Sequence, residues 1–144
     1  MISILGLCIL PILLAQAAWQ WARPQGGESF GQLIAKPVLS APPQRYWQLL
    51  AHTGQACNAA QPNQANQLRP VAQQLQRAQG NAQHRIKVAE CLPLAQALPS
   101  GIYLIDPHGN AVLRYSPEQL AQIQGRQAAL REIGKVLKNN QGLG

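Results

Sequence analysis

Cys57 and Cys91, with His52 five residues before the first of them, carry most of the reactive chemistry open to this chain. Three fates are open to the cysteine pair. It can form a structural disulfide, as suits an exported domain. It can remain as two inert thiols. It can also act as a functional pair that exchanges disulfides or binds copper(I), a soft cation that thiolates suit. His52 can join the thiols, so Cys57, Cys91 and His52 form the candidate metal set, and His108 is a further histidine that could join them. A lone histidine in a strand or turn is more often structural or solvated, and that reading stands beside the ligand one. Cys8 lies in an apolar run and most simply packs against lipid. No other catalytic pattern is present. Asp106 is the single aspartate and sits in an Asp-Pro-x-Gly turn signature, while Glu28, Glu90, Glu118 and Glu132 make no paired-carboxylate arrangement. Phosphate-binding loops, G-x-S-x-G and H-E-x-x-H are missing from the sequence.

The elements around these residues predict how they are placed. Tyr46–His52 is a short apolar run ended by Thr53-Gly54 and reads as a strand. A Gln/Asn/Ala-rich helix is expected over 59–79, with Ala65, Leu68, Val71, Ala72, Leu75 and Ala78 on one face, a kink or restart at Pro70, and a stop at Gly80-Asn81. Arg85–Ala89 alternates polar and apolar and reads as a half-buried strand. Ile102–Ile105 and Ala111–Tyr115, joined by Asp106-Pro107-His108-Gly109-Asn110, read as a hairpin. Ser116 is then a helix cap, with Pro117 at the first position and Gln119 completing a capping box. Leu120, Ile123, Leu130, Ile133 and Leu137 supply that helix's buried face. Strand, helix, strand, hairpin and helix make an α/β sandwich around one sheet. A strand–helix–strand unit has parallel strands, so Cys57 and Cys91 are expected at the same carboxyl edge. Strands there lie about 4.8 Å apart, near the Cα separation of about 5.5–6 Å that a disulfide needs. That edge is also where α/β folds usually hold ligands.

The N-terminal stretch differs from the rest. Residues 2–22 carry no charged side chain, and a helix of that length spans about 30 Å, the thickness of a bilayer core. Trp19, Trp21 and Arg23 resemble an interfacial belt closing the span. Ala15-Gln16-Ala17 offers a cleavage site, so a removed signal peptide is the rival of a retained anchor. Residues 24–45, with Gly26-Gly27, Pro37 and Pro42-Pro43, are expected as an extended linker, 46–140 as the domain and 141–144 as a frayed tail. The net charge of +7 comes from 12 basic and 5 acidic residues spread without runs. That pattern is a solvated surface suited to anionic headgroups or an acidic partner, and not a nucleic-acid stripe.

The hairpin Gly101-Ile102-Tyr103-Leu104-Ile105-Asp106-Pro107-His108-Gly109-Asn110 resembles the YL-[IV]-DP-x-G-N hairpin of Sco-like, thioredoxin-fold proteins. More narrowly, the chain resembles the small membrane-anchored proteins that assist cytochrome c oxidase assembly in proteobacteria. Gly31-Gln32-Leu33-Ile34-Ala35-Lys36-Pro37 is similar to their linker element. The resemblance implies a thioredoxin-like domain on the periplasmic side of the inner membrane, held by a single-pass anchor. Its partner would be an oxidase subunit or another assembly factor. The departure from the pattern is chemical. Copper-binding members use C-x-x-x-C with a histidine near the hairpin, whereas here Gln61 stands where the second cysteine belongs and Leu98–Gly101 has no histidine. The expectation is therefore a non-enzymatic accessory protein without a resident cofactor. The alternatives are a thiol–disulfide or copper(I)-transfer protein using Cys57 and Cys91, and an exported scaffold unrelated to respiration.

Overall fold

The computed structural model describes residues 9–17, 28–36, 39, 41–54, 67–89, 92 and 98–143. Residues 9–17 are helical (α1) and exposed, with Leu10, Ile12, Leu13 and Leu14 each about three-fifths accessible. The remainder of the expected span, with Trp19, Trp21 and Arg23, lies outside the described residues. Among the described residues no helix is long and apolar enough to cross a membrane.

A mixed α/β domain follows. Its strands are β1 (Gln32–Leu33), β2 (Trp47–His52), β3 (Ile86–Ala89), β4 (Gly101–Ile105) and β5 (Ala111–Tyr115). They form one sheet in the order β1-β5-β4-β2-β3, with β2 and β3 parallel and the other neighbours antiparallel. Every residue of β2 is buried, as a central strand covered on both faces should be. Trp47, Leu49 and Ala51 point to one face, where they meet Ala72 and Leu75 of α2 (Leu68–Arg77), Leu120 of α3 (Pro117–Ala121), and Ala129, Ile133 and Leu137 of α4 (Ile123–Asn139). Leu50 points the other way and packs with Tyr103, Ile105, Leu39, Ala41 and Leu98. Among the described residues, the helices cover one face, and Leu39, Ala41 and Leu98, which lie outside helices and strands, pack on the other.

The segment expected as a linker supplies part of this structure. Gln32 and Leu33 pair with Arg114 and Leu113, and Leu39 and Ala41 enter the second core. Ser29 Oγ and the Phe30 N–H donate to Glu132 Oε1 at 2.7 and 3.0 Å, and the Gly31 N–H donates to Oε2 at 2.9 Å. Gln119 Nε2 donates to the Phe30 carbonyl at 2.7 Å, and the Phe30 ring stacks on Tyr115. Burial and the Glu132 charge hold the Tyr115 hydroxyl far above its ordinary ionisation range.

The hairpin and the capping box at Ser116 form as the sequence predicts. Asp106 acts as the turn residue, its Oδ1 accepting the Asn110 N–H at 2.8 Å. Gly109 takes φ +92°, and a Cβ there would run into the Ala41 carbonyl. Pro70 sits in the first turn of α2, which begins at Leu68, so its missing N–H leaves no helical hydrogen bond unmade. Residues 59–66 of the expected helix lie outside the described residues.

Three differences have specific causes. The final helix breaks at Gln122, whose ψ of 148° is extended, because Arg126 turns back onto the Leu120 and Ala121 carbonyls and Gly125 packs against the Gln119 carbonyl. Ile123 consequently lies 68 % exposed at the start of α4 and is not part of the buried face. Gly80–Arg85 is a 3₁₀ helix, which delays the second strand to Ile86. The expected tail is held through Leu143, whose carbonyl accepts from Trp47 Nε1 at 3.0 Å and Arg85 Nη2 at 3.1 Å.

Candidate functional site

The carboxyl edge of β2 and β3 is where the sequence places its reactive residues. The two strands run parallel with Leu50 opposite Ala89, so both chains leave the sheet at this edge on their way to Cys57 and Cys91. Cys57, Gln61 and Cys91 themselves, like Cys8, lie outside the described residues, as does the disulfide considered for them. His52 is the member of the candidate metal set that the structure describes.

His52 ends β2 opposite Gly101 of β4. As the sixth strand residue it shares the face of Gln48 and Leu50, away from the helices. It is only 3 % exposed, with its ring edge-on to Tyr103 at 6.3 Å between centroids. Its Nε2 lies 3.2 Å from the Leu98 carbonyl. A carbonyl can only accept, so Nε2 carries the proton and the neutral ring keeps its lone pair on Nδ1. Burial lowers the pKa of His52 and outweighs the opposing effect of the Leu98 carbonyl, so the ring is held neutral near pH 7.

Two further side chains, which the sequence reading did not single out, act on the same loop. Tyr103 donates its hydroxyl to the Pro99 carbonyl at 2.7 Å, and Arg114 Nη2 donates to the Ser100 carbonyl at 2.8 Å. Consecutive carbonyls of Leu98, Pro99 and Ser100 are thus held by side chains from β2, β4 and β5. Tyr103 and Arg114 are register partners, and Arg114 also reaches Gln32 Oε1 of β1 at 3.0 Å. Burial raises the Tyr103 pKa, and the Arg114 charge opposes it without reversing it. Arg114 Nε is buried with no hydrogen-bond partner. The alternation Leu113-Arg114-Tyr115 is the signal that marks Arg114 as facing away from the helix layer, but only the strand order shows what it meets.

The chemistry of this cluster is positional. A neutral imidazole, a protonated phenol and a guanidinium each engage a backbone carbonyl, which fixes the loop that enters β4. Gly54, at φ +87°, lies against Leu98 and Ser100, so the start of the segment leading to Cys57 abuts the clamped loop.

His108 does not join this edge. It is exposed in the turn after β4, while His52 pairs with the first residue of that strand. The intervening strand separates them by roughly 14 Å along the backbone. Among the described residues no three His, Cys, Asp or Glu side chains could hold a metal ion. A groove of about 360 Å³ between α2 and α4, lined by Leu75, Ile123, Leu130 and Arg126 among others, does not include His52. No protein-family model matches this chain, and comparison with curated proteins and with solved structures gives no match either.

Proposed function

We propose that this chain is a membrane-tethered, non-enzymatic, thioredoxin-like accessory protein on the periplasmic side of the inner membrane, serving cytochrome c oxidase assembly by binding a subunit or another assembly factor. The thioredoxin-like part of the reading is supported by strand order. Counting from β2, the sheet runs fourth-third-first-second, with the third strand antiparallel to its neighbours and α2 and α4 on one face. The tether is supported by the charge-free residues 2–22, of which 9–17 form a helix whose Leu and Ile side chains are exposed. The oxidase link rests on the resemblance of the hairpin and of Gly31–Pro37.

The observation that carries the non-enzymatic reading is Gln61 four residues after Cys57, where a redox or copper pair needs a second thiol. Deleting the gene is the test. The reading expects lower oxidase activity and lower copper content in the oxidase subunits, and normal values of both reject it. Normal values would leave an exported scaffold unrelated to respiration.

One observation favours a second reading. The parallel β2 and β3 direct the segments bearing Cys57 and Cys91 to one edge, and there His52 keeps its Nδ1 lone pair with Nε2–H fixed on a backbone carbonyl. Metal-bound histidines commonly donate their other ring N–H in this way. On this reading the two thiolates and His52 Nδ1 hold copper(I) for transfer. Anaerobic titration of the reduced protein decides it: one equivalent of tightly bound copper(I) supports transfer, and no stoichiometric binding excludes it.

A further inference from the structure

The first described residues of the domain are fastened to α3 and α4. Ser29, Phe30 and Gly31 are fastened to Glu132, and Phe30 is fastened again by Gln119. If the apolar segment ends at Arg23, the residues from there to Glu28 span at most about 18 Å when fully extended. The Glu132 flank of α4 therefore cannot stand far from the bilayer surface, and the domain has little freedom to present a different side.

The outer face of α4 carries charge of one sign. Arg131, Lys135 and Lys138 are all exposed, and their spacing of four and three residues places them on one stripe opposite the buried Ala129, Ile133 and Leu137. Gln124 and Gln127 continue the stripe toward the helix start without adding charge. Glu132 is the single acidic residue of α4, and its carboxylate is turned onto the Ser29–Gly31 strap. The stripe thus stays cationic beside the point where the chain departs for the membrane.

We infer that the outward face of α4, through Arg131, Lys135 and Lys138, lies on the anionic headgroups of the bilayer that holds the N-terminal segment. This rests on the membrane tether proposed above and adds an orientation to it. Attraction of basic side chains to an anionic leaflet is short-ranged and screened by salt. The short strap and the charge stripe act together, one limiting distance and the other choosing the face.

The test uses the full chain with two kinds of vesicle, pure phosphatidylcholine and phosphatidylcholine with about 30 % phosphatidylglycerol, a composition giving a strongly anionic surface. Acylation by an amine reagent is followed at each lysine by mass spectrometry. Lys87 is the internal reference, since Ile86 and Val88 face the helix layer and Lys87 points to the opposite side of the sheet. The expected result is reaction at Lys135 and Lys138 slowed at least about fivefold on anionic vesicles, Lys87 unchanged, and the protection removed by roughly 0.5 M salt. In the Arg131→Glu/Lys138→Glu variant, protection of Lys135 should be lost. Flotation with both vesicles but equal reactivity at Lys135 and Lys138 overturns the orientation alone, and leaves the stripe to an acidic protein surface. Failure to float with either vesicle overturns the tether and the orientation together.

Discussion

Glu132→Gln probes the link between the strap and the domain with the smallest change in shape. In the native protein Oε1 accepts from Ser29 Oγ and the Phe30 N–H, and Oε2 accepts from the Gly31 N–H. A glutamine can keep its oxygen on the side with two donors. Its amide then sets an N–H against the Gly31 N–H, and the charge that strengthened all of the bonds is gone. Hydrogen bonds to a charged acceptor contribute about 1.5–3 kcal/mol each when buried, and less at a partly exposed site such as this one. Losing one bond and weakening two should cost about 1–2 kcal/mol, or roughly 4–10 °C in Tm for a domain of this size. Ser29→Ala alone should cost about 1 kcal/mol, and the double variant less than the sum because both act on Oε1. Amide hydrogen exchange localises the effect: Phe30 and Gly31 should lose protection in Glu132→Gln while Leu49 and Leu104 keep theirs. A Tm within about 1 °C of wild type, with exchange at Phe30 and Gly31 unchanged, would refute the claim that Glu132 fastens the strap.

Other outcomes follow from single contacts. Arg85→Met removes a guanidinium that binds the Leu137, Asn140 and Leu143 carbonyls; it should cost about 2 kcal/mol and speed exchange over 138–143. Gly109→Ala, at φ +92° against the Ala41 carbonyl, should cost about 2–3 kcal/mol by thermal melting. His52 makes the domain pH-sensitive in one direction. Its folded pKa lies below 6.5, so below about that pH the unfolded chain binds more protons and stability falls with falling pH. The slope is at most about 1.4 kcal/mol per pH unit, levelling off below the folded pKa, and His52→Gln should remove that component from a series of melts across pH 4–7.

Local pattern and long-range pairing were not equally legible in the sequence. The hairpin is readable because Asp106, Gly109 and Asn110 satisfy one turn through neighbours four residues or fewer apart. The cap at Ser116 is local in the same way. Residues 28–45 are harder, because Pro and Gly hide an edge strand of two residues and a covering segment whose partners lie far along the chain. The break at Gln122 depends on Arg126 reaching back to α3, which apolar periodicity cannot express. At the candidate site, the sequence singles out His52, and parallel β2 and β3 place it at the edge from which both cysteine segments depart. The clamp by Tyr103 and Arg114 arises only from strand order and register.

The role proposed for this protein is to assist oxidase assembly without thiol or copper chemistry of its own. Its most direct test is oxidase activity in membranes of a deletion strain that expresses the full chain with Cys57→Ser and Cys91→Ser. Activity should be restored to the level given by the wild-type chain. Activity no higher than in the uncomplemented deletion, with the variant present in the membrane at wild-type abundance, would contradict it.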